Sequence, residues 1–131
     1  MPRLLRDSPL NSIWEGSGNV SALDVLRALV KEPDALPAFL EECELGRGGN
    51  AALDAHLDRV RDTRPQDPEF EARRVVSDLA VALQGSLLVR HGPAPVADAF
   101  CASRLEGVGR AYGTLPPSVD AEAIVDRALP A

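Results

Sequence analysis

The chain has 131 residues, of which 45% are hydrophobic, 26% charged and only 4% aromatic. That length suits one domain with a buried core, and a core so short of aromatics is built from Leu, Val and Ala, which favours helix over sheet. A net charge of -6 argues against a phosphate backbone as partner; no apolar run nears the ~20 residues of a membrane span, and MPRLLRDSP lacks the apolar stretch of a signal peptide, so a cytoplasmic chain is expected.

Residues 1–17 read as a leading segment, in which Leu4–Asp7 is a frayed helix end stopped by Pro9. Then comes Leu10–Asn19, LNSIWEGSGN, with the chain's single Trp, Trp14, beside Glu15. Gly16, Ser17 and Gly18 make a small-residue turn, and Asn19 is a natural N-cap for the apolar pattern Val20, Leu23, Leu26, Leu29. A turn at a helix start presents backbone N–H groups at the positive end of the dipole, which suits a phosphate. An acid against an indole is partly desolvated, the environment that makes a carboxylate a useful general base.

The rest of the chain, residues 18–131, reads as one helical domain. Helix one runs over about Asn19–Glu32, with Ser21 and Asp24 as a second capping pair, and Pro33 stops it. Helix two covers Asp34–Leu45, with Pro37 tolerated in its first turn. Gly46–Gly49 is a flexible break that lacks the Lys and Ser or Thr of a phosphate-binding loop. Helix three is capped by Asn50 and extends to Arg64, with Leu53, Leu57 and Val60 as its apolar stripe and His56 as a surface residue on the flank.

Helix four is the longest, capped by Asp67, opened by Pro68 and running to Arg90. Phe70, Val75, Val76, Leu79, Ala80, Leu83, Leu87 and Leu88 form its expected buried face, and Gly85 lets a neighbour come close. Helix five spans Ala94–Leu105 with Val96, Ala97, Phe100, Cys101 and Leu105 inward. Gly107–Pro117 is irregular, and a short helix six follows at Val119–Leu129, capped by Asp120. Cys43 and Cys101 have no metal-ligand spacing and read as reduced core thiols. The expected architecture is therefore an all-α bundle of about six helices, with no strand, no repeat and no metal site.

Over Pro9–Leu29, PLNSIWEGSGNVSALDVLRAL, the chain resembles the C-terminal helical domain of the acyl-CoA dehydrogenase family. Ordinary members carry an aromatic–Glu–Gly–Thr turn before a helix; here Trp14–Glu15–Gly16–Ser17 points to the AidB-like branch, linked to the response to DNA alkylation. The resemblance implies a flavoprotein that removes a proton α to an acyl-CoA thioester as a hydride leaves the β carbon. It implies Glu15 as the base, Trp14 and Arg27 at the substrate pocket, and Gly16, Ser17 and Asn19 along the FAD. It also implies that this chain is only part of a longer enzyme, inactive by itself, and a homo-oligomer.

Two other readings stand beside it: a DNA-alkylation stress module associated with nucleic acid, and a non-catalytic helical interaction segment. Charge disfavours the first. Residues 1–31 hold four basic and three acidic residues, and the remainder holds ten against seventeen, so the tail is acidic. The most basic window, Arg59–Arg74, sets five Arg against four acids.

Overall fold

The computed structural model describes residues 2–12, 18–106 and 118–128. All described elements are helical: α1 (Pro2–Asp7), a 3-10 turn (Ser8–Ser12), α2 (Gly18–Lys31), α3 (Ala35–Glu44), α4 (Ala51–Asp62), α5 (Pro68–His91), α6 (Ala94–Arg104) and α7 (Ala121–Ala128). The expected helices all form, and α1 adds a short one where only a frayed end was expected. Pro9 ends up inside the 3-10 turn, after Ser8 Oγ has bonded the Leu5 carbonyl at 3.0 Å.

Local chemistry sets the helix starts. Asn50 is extended (φ -158°, ψ 126°), and its side-chain oxygen accepts from the Ala52 and Leu53 amides at 3.0 and 3.4 Å. Asp67 accepts from the Phe70 amide at 3.1 Å ahead of Pro68, and Asp120 accepts from the Ala123 amide at 3.0 Å. These bonds satisfy amides that a helix start leaves without an intrahelical partner. Asn19 is different. The helix already begins at Gly18, so Asn19 lies within its first turn rather than capping it.

α5 is the central element, flanked by α2, α3, α4 and α6. The core cluster holds Cys43, Ala52, Leu53, Leu57, Ala82, Cys101 and Leu105, with Phe39 and Phe100 packed against it. Both cysteines are free and fully buried, as expected. The inward face of α5 differs from the expected one: Ala72, Leu79, Ala82, Gly85 and Ser86 are buried, whereas Phe70 is 89% exposed and Ala80 and Leu87 are also exposed. Phe70 stands two residues from Ala72, about 200° away around a helix of 3.6 residues per turn. The face is selected by size. A Cβ at Gly85 would lie 3.2 Å from both Leu53 and Leu105, so small residues let the neighbouring helices close on α5.

The Gly46–Gly49 stretch is a packed turn rather than a flexible break. The Gly46 and Arg47 amides bond the carbonyls of Cys43 and Glu44 at 3.2 and 2.9 Å. Gly46 itself is buried, and a Cβ there would sit 2.7 Å from Ser86 Oγ and 2.9 Å from Ser86 Cα. Only glycine permits this approach of α3 to α5.

His56 corrects a second expectation. It is 2% exposed, not on the surface. Its Nε2 bonds the Asp78 carbonyl on α5 at 3.0 Å, and its Nδ1 faces Arg59 Nη2 at 3.1 Å. Arg59 Nη2 also donates to the Leu105 carbonyl at the end of α6, at 2.8 Å. A carbonyl only accepts and a guanidinium only donates, so His56 carries its proton on Nε2 and accepts through Nδ1. This polar chain ties α4, α5 and α6 together and satisfies an otherwise costly buried imidazole.

Candidate functional site

The site suggested by the sequence turns on six residues. Trp14, Glu15, Gly16 and Ser17 lie outside the described residues. The structure places the other two, Asn19 and Arg27, on α2, about 12 Å apart along its axis at 1.5 Å per residue.

Asn19 is exposed on the first turn of α2, and its Oδ1 accepts from Arg73 Nη1 of α5 at 3.1 Å. The same guanidinium lies against Gly18, where a Cβ would sit 2.7 Å from Nη1. The start of α2 therefore combines a fixed side-chain amide, an arginine and the positive end of a helix dipole. That combination suits an anionic group. Sequence reasoning missed Arg73, since its only signal is spatial: it stands 54 residues from Asn19.

A groove of about 710 Å³ runs between α2 and the start of α5. Leu23, Leu26 and Val30 supply its apolar wall, with Pro68 opposite, and the charges of Arg27, Lys31, Asp67 and Glu69 ring it. Arg27 thus lines a groove, but its side chain is 77% exposed and bonded to Asp24 at 2.7 Å. It is held along the helix surface by a one-turn ion pair. Phe70 lines a smaller neighbouring recess that also touches Asn19, Leu23 and Arg73. Next to it, the Arg74 guanidinium holds the Glu71 carboxyl below its ordinary range.

The arginines of the Arg59–Arg74 window are engaged rather than gathered into a free basic face. Arg61 pairs with Glu44, Arg74 with Glu71, Arg73 with Asn19, and Arg64 with the carbonyls of Arg61 and Thr63. Among the described residues, no three His, Cys, Asp or Glu are grouped to hold a metal ion, and no helix is long and apolar enough to cross a membrane.

No protein-family model matches the chain. It is similar to AidB of Escherichia coli strain K12, a protein that bears an acyl-CoA dehydrogenase name, at 32% identity over 109 residues. That match covers 83% of this chain and 20% of the relative, so the chain spans about one fifth of that protein's length. It is also similar to acyl-CoA dehydrogenase family member 11 of Caenorhabditis elegans, at 37% identity over 62 residues, covering 47% of this chain and 10% of that protein.

Proposed function

The chain belongs to the acyl-CoA dehydrogenase family on its AidB-like side, and from that premise we propose that it is the C-terminal helical portion of an FAD-dependent protein whose parent reaction is α,β-dehydrogenation of an acyl-CoA thioester. The observation that carries this reading is the 32% identity to AidB sustained over 83% of the chain. The division into a leading segment, 1–17, and a helical domain, 18–131, belongs to the same proposal.

In this reading Glu15 takes the proton α to the thioester, and its backbone N–H donates to the thioester oxygen as enolate charge develops. Trp14 narrows the acyl pocket, and Arg27 lies at the edge of the substrate groove. Gly16, Ser17 and Asn19 lie along the cofactor. The described part of this turn fits an anionic cofactor: Asn19, Arg73 and the N-terminus of α2 converge there. When bound, FAD supplies the acceptor for the hydride leaving the β carbon. In the same reading the chain alone, which spans a fifth of the length of its relative, is expected not to turn over substrate.

Self-association is part of the same reading. Val20 and Val30 of α2 and Phe70 of α5 are 48%, 83% and 89% exposed, apolar surface that a second copy would cover. A cytoplasmic location is likewise proposed. Duplex DNA as partner gains no support, because residues 32–131 hold ten basic against seventeen acidic residues.

The test is retention of FAD by the purified chain after removal of free cofactor, read by absorbance. Saturable binding is expected, reduced several-fold by Arg73→Ala and lost when residues 15–19 are replaced by alanines. A chain that retains no flavin with the turn intact overturns the assignment of this turn to the cofactor.

A further inference from the structure

One buried ring on α4 links it to both α5 and α6. His56 is 2% exposed. Its Nε2–H donates to the Asp78 carbonyl of α5 at 3.0 Å. Its Nδ1 accepts from Arg59 Nη2 at 3.1 Å, and that same nitrogen donates to the Leu105 carbonyl at 2.8 Å. Leu105 is the C-cap of α6. Its carbonyl is one that a helix end leaves without an intrahelical donor, so Arg59 brings both a donor and a positive charge to the negative end of the α6 dipole.

We propose that His56 and Arg59 form a proton-operated latch between α4 and α6: a proton taken up at His56 Nδ1 releases Arg59 from the ring and from the Leu105 carbonyl, and leaves the α4–α5 bond in place. Neutral imidazole has one acceptor nitrogen, whereas imidazolium has none and donates from both. A proton on Nδ1 therefore sets two donors against each other across 3.1 Å, while Nε2–H keeps its bond to Asp78. Imidazolium and guanidinium also carry the same sign, and a ring so buried has little water to screen the repulsion. Among the described residues, the other charges nearby are Asp78, whose carboxylate lies 3.7 Å from Arg74 Nη1, Glu71, which pairs with the same Arg74, and Arg104 and Glu106, which flank Leu105 in sequence. Arg59 is the charged side chain hydrogen-bonded to the ring. One of its nitrogens makes both bonds, so moving that nitrogen off the ring also takes it off Leu105. The released guanidinium has a place to go: Arg59 is an exposed residue, and exposed Asp62 stands three positions on, a spacing at which side chains pair along a helix. Opening takes up one proton, so acid favours the open form and neutral pH the closed one. The latch is independent of the flavin reading.

The experiment is an NMR titration of the full 131-residue chain across the ordinary histidine range, from about pH 7.5 to about pH 4.5. It follows the His56 ring, the Arg59 guanidinium 15N, the Leu105 carbonyl 13C and the methyls of buried Leu53 and Leu57. The Arg59 and Leu105 signals are expected to move together with the His56 ring while the Leu53 and Leu57 methyls stay fixed. The ratio of open to closed form is expected to rise about tenfold for each pH unit lost below about 6.5. His56→Gln keeps a donor and an acceptor but takes up no proton, and is expected to abolish the step at Leu105. If that variant fails to fold, Arg59→Gln gives a second test: the ring still titrates, and Leu105 no longer follows it. Three results overturn the proposal. The His56 ring titrates while Arg59 and Leu105 stay still; or it charges only as the Leu53 and Leu57 methyls report global unfolding; or the Leu105 step persists in folded His56→Gln, which would trace it to another group such as the exposed His91. FAD is absent throughout, so failure here leaves the flavin assignment untouched, and the reverse holds.

Discussion

Asn19 and Arg73 stand 54 positions apart and meet through a 3.1 Å hydrogen bond that joins the first turn of α2 to α5. The contact is exposed, so it contributes little to stability while fixing where the α2 turn sits. A double-mutant cycle with Asn19→Ala and Arg73→Ala, followed by urea unfolding, is expected to give a coupling of about 0.5 kcal/mol. Coupling above about 2 kcal/mol would mean that the contact carries the helix packing and does more than orient a turn.

The buried imidazole makes a sharper prediction. His56 is held between an acceptor, the Asp78 carbonyl, and a donor, Arg59. Long-range 1H–15N spectra of the ring at neutral pH are therefore expected to show the tautomer protonated on Nε2. His56→Ala is expected to cost about 2–4 kcal/mol, because it opens a cavity and leaves the Asp78 carbonyl and Arg59 without this partner. A surface histidine would show neither effect.

Two glycines on the same interface should respond differently to alanine. Gly46→Ala brings a Cβ within 2.9 Å of Ser86 backbone, which α5 cannot yield without shifting. A loss of about 1–3 kcal/mol in thermal or urea unfolding is expected. Gly85→Ala meets only side-chain methyls at 3.2 Å and gains about 1 kcal/mol of helix propensity. The two effects offset, and the variant is expected to stay within about 1 kcal/mol of the parent. Equal losses at both sites would contradict the size argument for the inner face of α5.

Burial pushes the Cys43 and Cys101 thiols up to about 11, with Glu42 and Glu44 adding to the effect at the first and Asp98 and Glu106 at the second. A raised thiol favours the protonated form in the folded state. Its stabilising contribution is complete below the unfolded value near 9 and is lost as pH rises toward about 11. Melting temperature should therefore fall across that window, and less steeply in Cys43→Ala/Cys101→Ala after correction for the truncation itself. Disulfide-exchange reagents are expected to react with either thiol only as the chain unfolds.

Phe70 should be nearly silent for folding. At 89% exposed it has little surface to lose, so Phe70→Ser is expected to change stability by no more than about 0.5 kcal/mol. A large loss would restore the buried face expected from its apolar neighbours.

Helix positions were largely legible in the chain because they depend on neighbours in sequence. Asn50, Asp67–Pro68 and Asp120 cap amides two or three residues away, and Pro33 and Pro93 sit just outside helices for equally local reasons. The Trp14–Glu15–Gly16–Ser17 motif also carries its family likeness in consecutive residues. The burial of α5 was not local. Its apolar residues surround the helix, and only the approach of Leu53 and Leu105 to Gly85 decides which side faces in. His56 reads as polar surface until a backbone carbonyl 22 residues away accepts its hydrogen bond. The Asn19–Arg73 pair belongs to the same class. Sequence alone determined the main helices, the caps at Asn50, Asp67 and Asp120, and the family likeness, since each rests on adjacent residues. Tertiary structure decided which small residues face inward, which polar groups are satisfied by distant partners, and where the clefts lie, because those outcomes depend on how closely separate helices can approach.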